Sequence, residues 1–344
     1  MTKIFFLGIT GYIGGTAAKI LIKKHPEYDI TALVRNSDQA DRVKDAFPSV
    51  RTVLGDLDSL DLIKEESSKS DVVFQCASAD HLESVQATLD GLGSQQKETF
   101  YVHTTGVFHF FGSDFQPDTP TEKVWSDVDD MKEIHNLPVS QPHGPVDKLV
   151  VSRGGYENVN VAMVDPPAVY GKGTGPIKTR GTLLPILVKA SLLNKQALKV
   201  GNGSPSWSAV HVEYLGEVFA WLFEQAAVGG GNVDYWNENG WYFAENDTYN
   251  WADIAASLAK IGQAKGYFES SQVESVNLDK AKGLFKDEAW VVSFLPLTLG
   301  AGVRVKGDRL RSHGFNFNSP SSVATLDELL DSEAASLGIE ARRN

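Results

Sequence analysis

Apolar and polar positions along this chain follow two rhythms, and the switches between them predict its elements. A short apolar run at 3–7 stops at Gly8, and from Tyr12 to Lys24 the apolar positions recur at helical spacing. Further strands are read at 29–34, 51–54, 71–76, 99–103 and 159–165, of which 71–76 is of the continuous apolar kind expected of a strand buried on both faces. Helical stretches from about 59 and at 81–92 lie between them. Regular alternation of strand and helix predicts an α/β fold, a Rossmann doubly wound parallel sheet.

The rhythm breaks at 108–142. That stretch is rich in aromatic and acidic residues (Phe108, Phe110, Phe111, Phe115, Trp125; Asp127, Asp129, Asp130) and is punctuated by Pro117, Pro120, Pro138 and Pro142. Loops this long inside a compact domain cover or bind something, or stay disordered, and the aromatics favour a lid-like insertion. From Pro166 the composition turns to glycine and proline. Helices are expected at 182–193, 214–225, 251–261 and 322–337, with short strands near 197–200 and 241–244. The chain thus divides into a Rossmann domain at 1–165 and a smaller C-terminal α+β region at 166–344 that leans on it. With 344 residues, 42% of them hydrophobic, it can bury a core of that size.

The reason for calling the first domain nucleotide-binding is Gly8-Ile-Thr10-Gly11-Tyr12-Ile13-Gly14. Glycine at position 8 allows a tight turn, at 11 lets the backbone approach a pyrophosphate, and at 14 lets helix and strand pack closely. Ordinary strand-to-helix turns also carry glycines, but this one opens a helix whose free N–H groups and positive dipole end suit phosphates. The expected cofactor contacts are Gly8, Thr10, Gly11, Tyr12, Ile13 and Gly14. The second strand ends at Arg35-Asn36. An acid there would hold the ribose 2′-hydroxyl of NAD, whereas Arg35 suits a 2′-phosphate, so NADP(H) is favoured over NAD(H). The alternative for Arg35 is a solvated residue ending a strand. Asp56 and Leu57 are placed near the adenine, Asp58 at a helix cap, and the small residues Ala77 and Ser78 under the cofactor ribose.

Charge and composition remove other classes. A net charge of −12 argues against binding nucleic acid, which needs concentrated Lys and Arg. The apolar start is too short for a signal sequence, and no run is long enough to span a membrane. A single cysteine, Cys76, in a predicted strand fits a reducing compartment, so the expected location is cytoplasmic. The eight histidines lack the spacing of a zinc site, and neither a Gly-x-Ser-x-Gly elbow nor a phosphate-loop lysine is present.

Gly8-x-x-Gly11-x-x-Gly14, Gly55-Asp56-Leu57, Pro167-x-x-Tyr170-Gly171 and His211-Val212-Glu213 resemble the extended short-chain dehydrogenase/reductase superfamily. With Leu33-Val34-Arg35-Asn36, the chain is most similar to its atypical branch of NmrA-like and epimerase-like NAD(P)-binding proteins of fungal type. The resemblance implies cofactor contacts at Pro167 and Tyr170, the latter packing beside the nicotinamide. It also implies a Tyr-x-x-x-Lys motif after the fifth strand, where Tyr moves a proton while Lys lowers the Tyr pKa and holds the ribose. The matching segment is Pro142-His143-Gly144-Pro145-Val146-Asp147-Lys148. Lys148 is present, but Gly144 stands where the Tyr belongs. His143, placed on the loop before a helix opened by Pro145, is either a substitute acid or a histidine at the edge of the site. Thr104 and Thr105 stand where the family hydrogen-bonds the substrate carbonyl, or simply end a strand. Tyr214 replaces the family's usual Asp after His-Val-Glu.

The expected function is an NADPH-dependent reductase of a small apolar or aromatic carbonyl, imine or enone that lacks the usual Tyr. The alternatives are a non-catalytic NADP(H)-sensing NmrA-like regulator with a protein partner, or a non-redox isomerase or lyase in the same fold. The acidic lid disfavours a phosphate-rich sugar nucleotide.

Overall fold

The strands that carry the site come in chain order from the N-terminus: β1 (Lys3–Leu7), β2 (Asp29–Val34), β3 (Arg51–Leu54), β4 (Val72–Gln75) and β5 (Thr99–Thr104). They are followed by β6 (Val124–Ser126), β7 (Val159–Asp165), β8 (Ala168–Tyr170), β9 (Leu198–Val200), β10 (Ser206–His211) and β11 (Trp241–Phe243). The last three are β12 (Asp247–Asn250), β13 (Glu274–Val276) and β14 (Arg304–Lys306). The computed structural model describes residues 2–111, 115–229, 234–316 and 318–342. Seven strands form one sheet in the order β11-β7-β5-β4-β1-β2-β3, and every neighbouring pair runs parallel. The order reverses between β1 and β4, which opens a crevice at their carboxyl ends, where doubly wound sheets bind ligands.

Helices α1 (Tyr12–Lys24), α2 (Ser37–Ala46), α3 (Leu60–Ser68), α4 (Leu82–Gly93), α5 (Met131–His135), α6 (Gly144–Val151), α7 (Leu183–Asn194) and α8 (Val212–Val228) surround this sheet and its extension. Alternation along β1 sends Phe6 to one face and Phe5 to the other. Phe6 packs edge-on to Phe74 at 4.7 Å, under Phe219 and Phe223 of α8. Phe5 joins Ile63, Val85 and Leu89 from α3 and α4. Each fully buried phenylalanine stabilises this core by about 2–3 kcal/mol.

Helix α2 is an element that the apolar pattern does not announce, because Val43 is its only buried residue. Asn36 caps it by accepting from the Gln39 amide at 3.0 Å. Helix α3 is capped at Ser59 rather than Asp58: the Asp56 carboxylate instead accepts from the Asp58 amide at 3.1 Å and the Ser59 hydroxyl at 2.9 Å.

The chain beyond 166 returns to the first layer. Its α8 packs on α1, and its β11 pairs with β7, so the sheet draws on both sides of the 165/166 boundary. The remaining strands form β12-β10-β8, β13-β9 and β14-β6 ladders. Around them pack α9 (Trp251–Ala264), α10 (Leu278–Gly283), α11 (Ala289–Thr298), α12 (Asp308–Ser312) and α13 (Leu326–Leu337). The 108–142 stretch, expected as a lid, is anchored. Its β6 pairs with β14, the Ser126 hydroxyl donates to Asp308, and Asp127 accepts from the Phe243 and Arg309 amides at 3.0 Å. Residues 112–114 of that stretch lie outside the described residues. Among the described residues, no helix is long and apolar enough to cross a membrane, and no group of three or more His, Cys, Asp or Glu could hold a metal ion.

Candidate functional site

The turn between β1 and α1 leaves no room for side chains. Gly8 has φ of +105°, and a Cβ there would stand 2.6 Å from the Cys76 carbonyl carbon. The Gly11 amide donates to the Gly8 carbonyl at 2.8 Å, and a Cβ on Gly14 would lie 2.3 Å from that same oxygen. Helix α1 opens on Gly11 without a side-chain cap, which leaves the N–H groups of its first turn for an anion. Ala77 lies across the turn, its amide 2.8 Å from where a Gly8 Cβ would be, and Ser78 follows with its hydroxyl accepting from the Asp80 amide. Arg35 is exposed at the end of β2, beside α2. Asp56 and Leu57 follow β3, with Asp56 committed to its turn through one carboxylate oxygen.

A strap at 171–181 runs along one flank of the turn. The Tyr12 hydroxyl donates to the Gly171 carbonyl at 2.6 Å, and the Lys178 amide to the Thr10 carbonyl at 3.3 Å. The Arg42 guanidinium reaches the Pro176 carbonyl at 3.2 Å. Thr10 and Tyr12 therefore position the strap as well as belonging to the turn.

At the other end of the crevice, α6 begins after His143, whose backbone is left-handed with φ of +65°. Its buried face carries Gly144, Val146, Asp147 and Val150. Lys148 is exposed and lines a cavity together with His109, Gly144 and Asp147; its ammonium donates to the His135 carbonyl. Helical phase turns the preceding residue, Asp147, inward. The Thr105 hydroxyl donates to the Asp147 carboxylate at 2.7 Å. His143 stands four residues before Asp147, with Nδ1 2.7 Å from an Asp80 oxygen. Its Nε2 is 3.4 Å from where a Cβ on Gly106 would be.

Beneath Thr105 lies a buried ionisable cluster. His109 sits with Nδ1 3.4 Å from Asp147 and Nε2 3.2 Å from Asp165, whose carboxylate also accepts from the Trp241 indole at 3.3 Å. Burial pushes the Asp165 carboxyl up to about 7, although His109 pulls the other way. Burial alone would lower His109, but Asp165 and Asp147 outweigh it and raise its pKa. His103 is completely buried, and burial lowers it to about 4. Its Nδ1 is 3.0 Å from the Tyr101 hydroxyl, while its Nε2 has no partner among the described residues. Thr104 points to the other side of β5, beside the Cys76 thiol, which burial pushes up to about 12.

Tyr170 is tied to the C-terminal part of the chain. Its hydroxyl donates to the Pro320 carbonyl at 2.7 Å and accepts from Asn246 at 3.1 Å, and its ring meets His211 edge-on. The neighbouring Pro167, by contrast, lines a cavity of about 140 Å³. Tyr12 and Ile13 form one end of this cavity and Gly106–Phe108 the other, with Leu183 and Trp207 among its walls; none of its lining residues carries a charge. Motif matching missed Asp80, Asp147 and Asp165. Asp147 was findable, since it shares the helical face that follows from His143 at four-residue spacing.

Residues 4–238 match the NAD dependent epimerase/dehydratase family. A protein named oxidase ucsJ, from Acremonium sp, is 30% identical over 352 residues, covering 98% of this chain and 99% of its own. Among solved structures, the terminal R domain from the myxalamid PKS-NRPS biosynthetic pathway is similar with a TM-score of 0.69 at 16% identity, over 98% of this chain and 91% of that one. Vestitone reductase from alfalfa (Medicago sativa L.) gives a TM-score of 0.61, also at 16% identity, over 98% and 99% of the two chains. At such identities the structural likenesses bear on the fold alone.

Proposed function

The chain belongs to the NAD dependent epimerase/dehydratase family, and from that footing we propose that it is an NADPH-dependent reductase of a small apolar or aromatic carbonyl, imine or enone. The observation that carries this reading is the uncharged cavity joining the glycine turn to the end of β5, with His143 beside Gly106. The turn fits a dinucleotide: a Cβ on Gly11 would lie 3.0 Å from the Gly8 carbonyl, and α1 is uncapped. Gly8, Thr10, Gly11, Tyr12, Ile13 and Gly14 would hold the pyrophosphate, Arg35 a 2′-phosphate, and Ala77 and Ser78 the ribose side. NADPH bound there supplies a hydride.

The remaining chemistry belongs to the side chains. Asp80 orients the His143 ring through Nδ1, and Nε2 is the atom placed to donate to an oxygen near Gly106. Phe108 and Trp207 wall the cavity with large apolar surfaces that suit an aromatic substrate. A single free thiol, Cys76, fits a reducing compartment, which we take to be the cytoplasm. The absence of a tyrosine from α6 favours one second reading, an NADP(H) sensor that binds a protein partner without turnover.

Titration with NADPH and NADH tests the proposal. NADPH should bind at least about tenfold more tightly, the effect of one charge-assisted hydrogen-bond site, and Arg35→Ser should erase the difference. Single-turnover fluorescence with aromatic ketones, imines and enones should then report oxidation of bound NADPH. Tight binding without oxidation would turn the reading to the sensor, and failure to bind either nucleotide would refute both.

A further inference from the structure

The strap at 171–181 is fastened more firmly than a connection between β8 and α7 requires. Rich in glycine, it forms neither helix nor strand, so its backbone groups need partners from other elements. The turn and α1 supply several. The Tyr12 hydroxyl donates to the Gly171 carbonyl at 2.6 Å, the Thr174 amide donates to the Thr16 hydroxyl at 3.1 Å, and the Lys178 amide donates to the Thr10 carbonyl at 3.3 Å. Between these points the two backbones touch: a Cβ on Gly15 would lie 2.8 Å from the Gly175 Cα. Arg42 of α2 adds a bond to the Pro176 carbonyl at 3.2 Å.

The strap carries three cations, Lys172, Lys178 and Arg180, and two of them are neutralised by α13. Arg180 grips both carboxylate oxygens of the buried Glu333, and Lys172 pairs with Glu328 at 2.7 Å. Lys178 is exposed and pairs with no carboxylate among the described residues. Its backbone is bonded to Thr10, the residue before Gly11, and a lysine stem reaches about 6 Å from its own backbone. The ammonium can therefore meet a phosphate seated on the amides that open α1. A cation is needed there, because the turn offers only neutral amides and the partial charge of a helix end. A dinucleotide brings a negative charge on each phosphate of its pyrophosphate into a chain of net charge −12, and Arg35 lies apart, at the end of β2.

We propose that Lys178 binds the cofactor pyrophosphate, as a cation brought to the glycine turn from the second half of the chain on a strap that Tyr12 and Arg42 hold in place. The inference rests on the dinucleotide site of the reductase reading above and gives that site a residue outside the glycine motif. Two cations then divide the nucleotide between them. Arg35 meets a group that only NADPH carries, whereas Lys178 meets one common to NADPH and NADH. The first governs the preference between the two nucleotides, and the second governs the affinity for both.

Titrations of the full chain with NADPH and with NADH, followed by cofactor fluorescence at low and at high salt, test the assignment. At low salt Lys178→Gln should weaken both nucleotides by about tenfold, the loss of one charge-assisted hydrogen bond, and leave their ratio unchanged. Because salt screens that charge, binding should depend less steeply on salt in the variant than in the wild type. Lys178→Arg keeps the charge and should recover most of the affinity. Lys172→Gln removes a strap cation that faces α13, and it should stay within about twofold of the wild type. Unchanged affinity in Lys178→Gln, an equal loss in Lys178→Arg or in Lys172→Gln, or a loss confined to NADPH would overturn the inference, the last by moving the ammonium to the 2′-phosphate. A wild-type chain that binds neither nucleotide would instead remove the dinucleotide reading on which it rests.

Discussion

The glycine turn leads into one cavity and the start of α6 lines another, and they encode their roles in opposite ways. At the turn the backbone decides: Gly14 lies so close to Gly8 that a single methyl would meet its carbonyl at 2.3 Å. At α6 the backbone is ordinary helix and the side chains decide. A rotation of about 100°, one residue of helix, determines that Asp147 rather than Lys148 meets Thr105. The first arrangement makes room for an anion of one shape. The second sets the charge presented to whatever reacts beside it, and it can change sign with a one-residue shift.

The comparison is broken most severely at the backbone end. Gly14→Ala forces β1 and α1 apart, and NADPH binding should vanish in a fluorescence titration while stability falls by about 3 kcal/mol in thermal unfolding, as overpacking predicts. At the side-chain end, His143→Gln should leave NADPH binding and the melting temperature nearly unchanged yet slow the single-turnover reduction of a neutral carbonyl by about 100-fold. An unchanged rate would take His143 out of the chemistry.

A smaller effect sharpens the electrostatic half. Because Asp165 is raised to about 7, the folded protein holds its proton over a range where the unfolded chain, with an ordinary carboxylate, has lost it. Its contribution to stability is therefore greatest at acid pH and declines as pH climbs from about 4 to about 7. His109, also raised, acts in the same sense: its contribution is present below the ordinary histidine value and is lost as pH rises through its folded pKa. Melting temperatures across this range should fall less steeply in Asp165→Asn than in the wild type; parallel curves would mean that the carboxyl titrates normally.

The smallest change is expected at the lysine of the motif segment. Lys148→Met should alter stability by no more than about 0.5 kcal/mol and leave NADPH affinity intact, since its ammonium bonds a surface carbonyl. A tenfold loss of affinity would return Lys148 to the ribose.

What the chain determines by itself follows from short-range patterns. Apolar runs mark β1, β2, β4, β5 and β7, because parallel strands inside the sheet are covered on both faces, and the spacing of Gly8, Gly11 and Gly14 marks the turn, because close backbone approach tolerates nothing larger. Where side chains point relative to distant segments is not written at that range. The pairing of β6 with β14 anchors a stretch that reads as a free lid, and β11 completes a sheet begun far earlier in the chain. Tyr170 is drawn away from the cavity by Pro320 and Asn246, which no local motif contains. Helix α6 begins after the left-handed His143, and its packing against α4 and β7 leaves Asp147 buried on Thr105 while its basic neighbour is exposed. Local spacing thus determined that a dinucleotide-shaped turn exists, while only tertiary contacts decided which charges stand beside it, because a helix presents each face according to what it packs against.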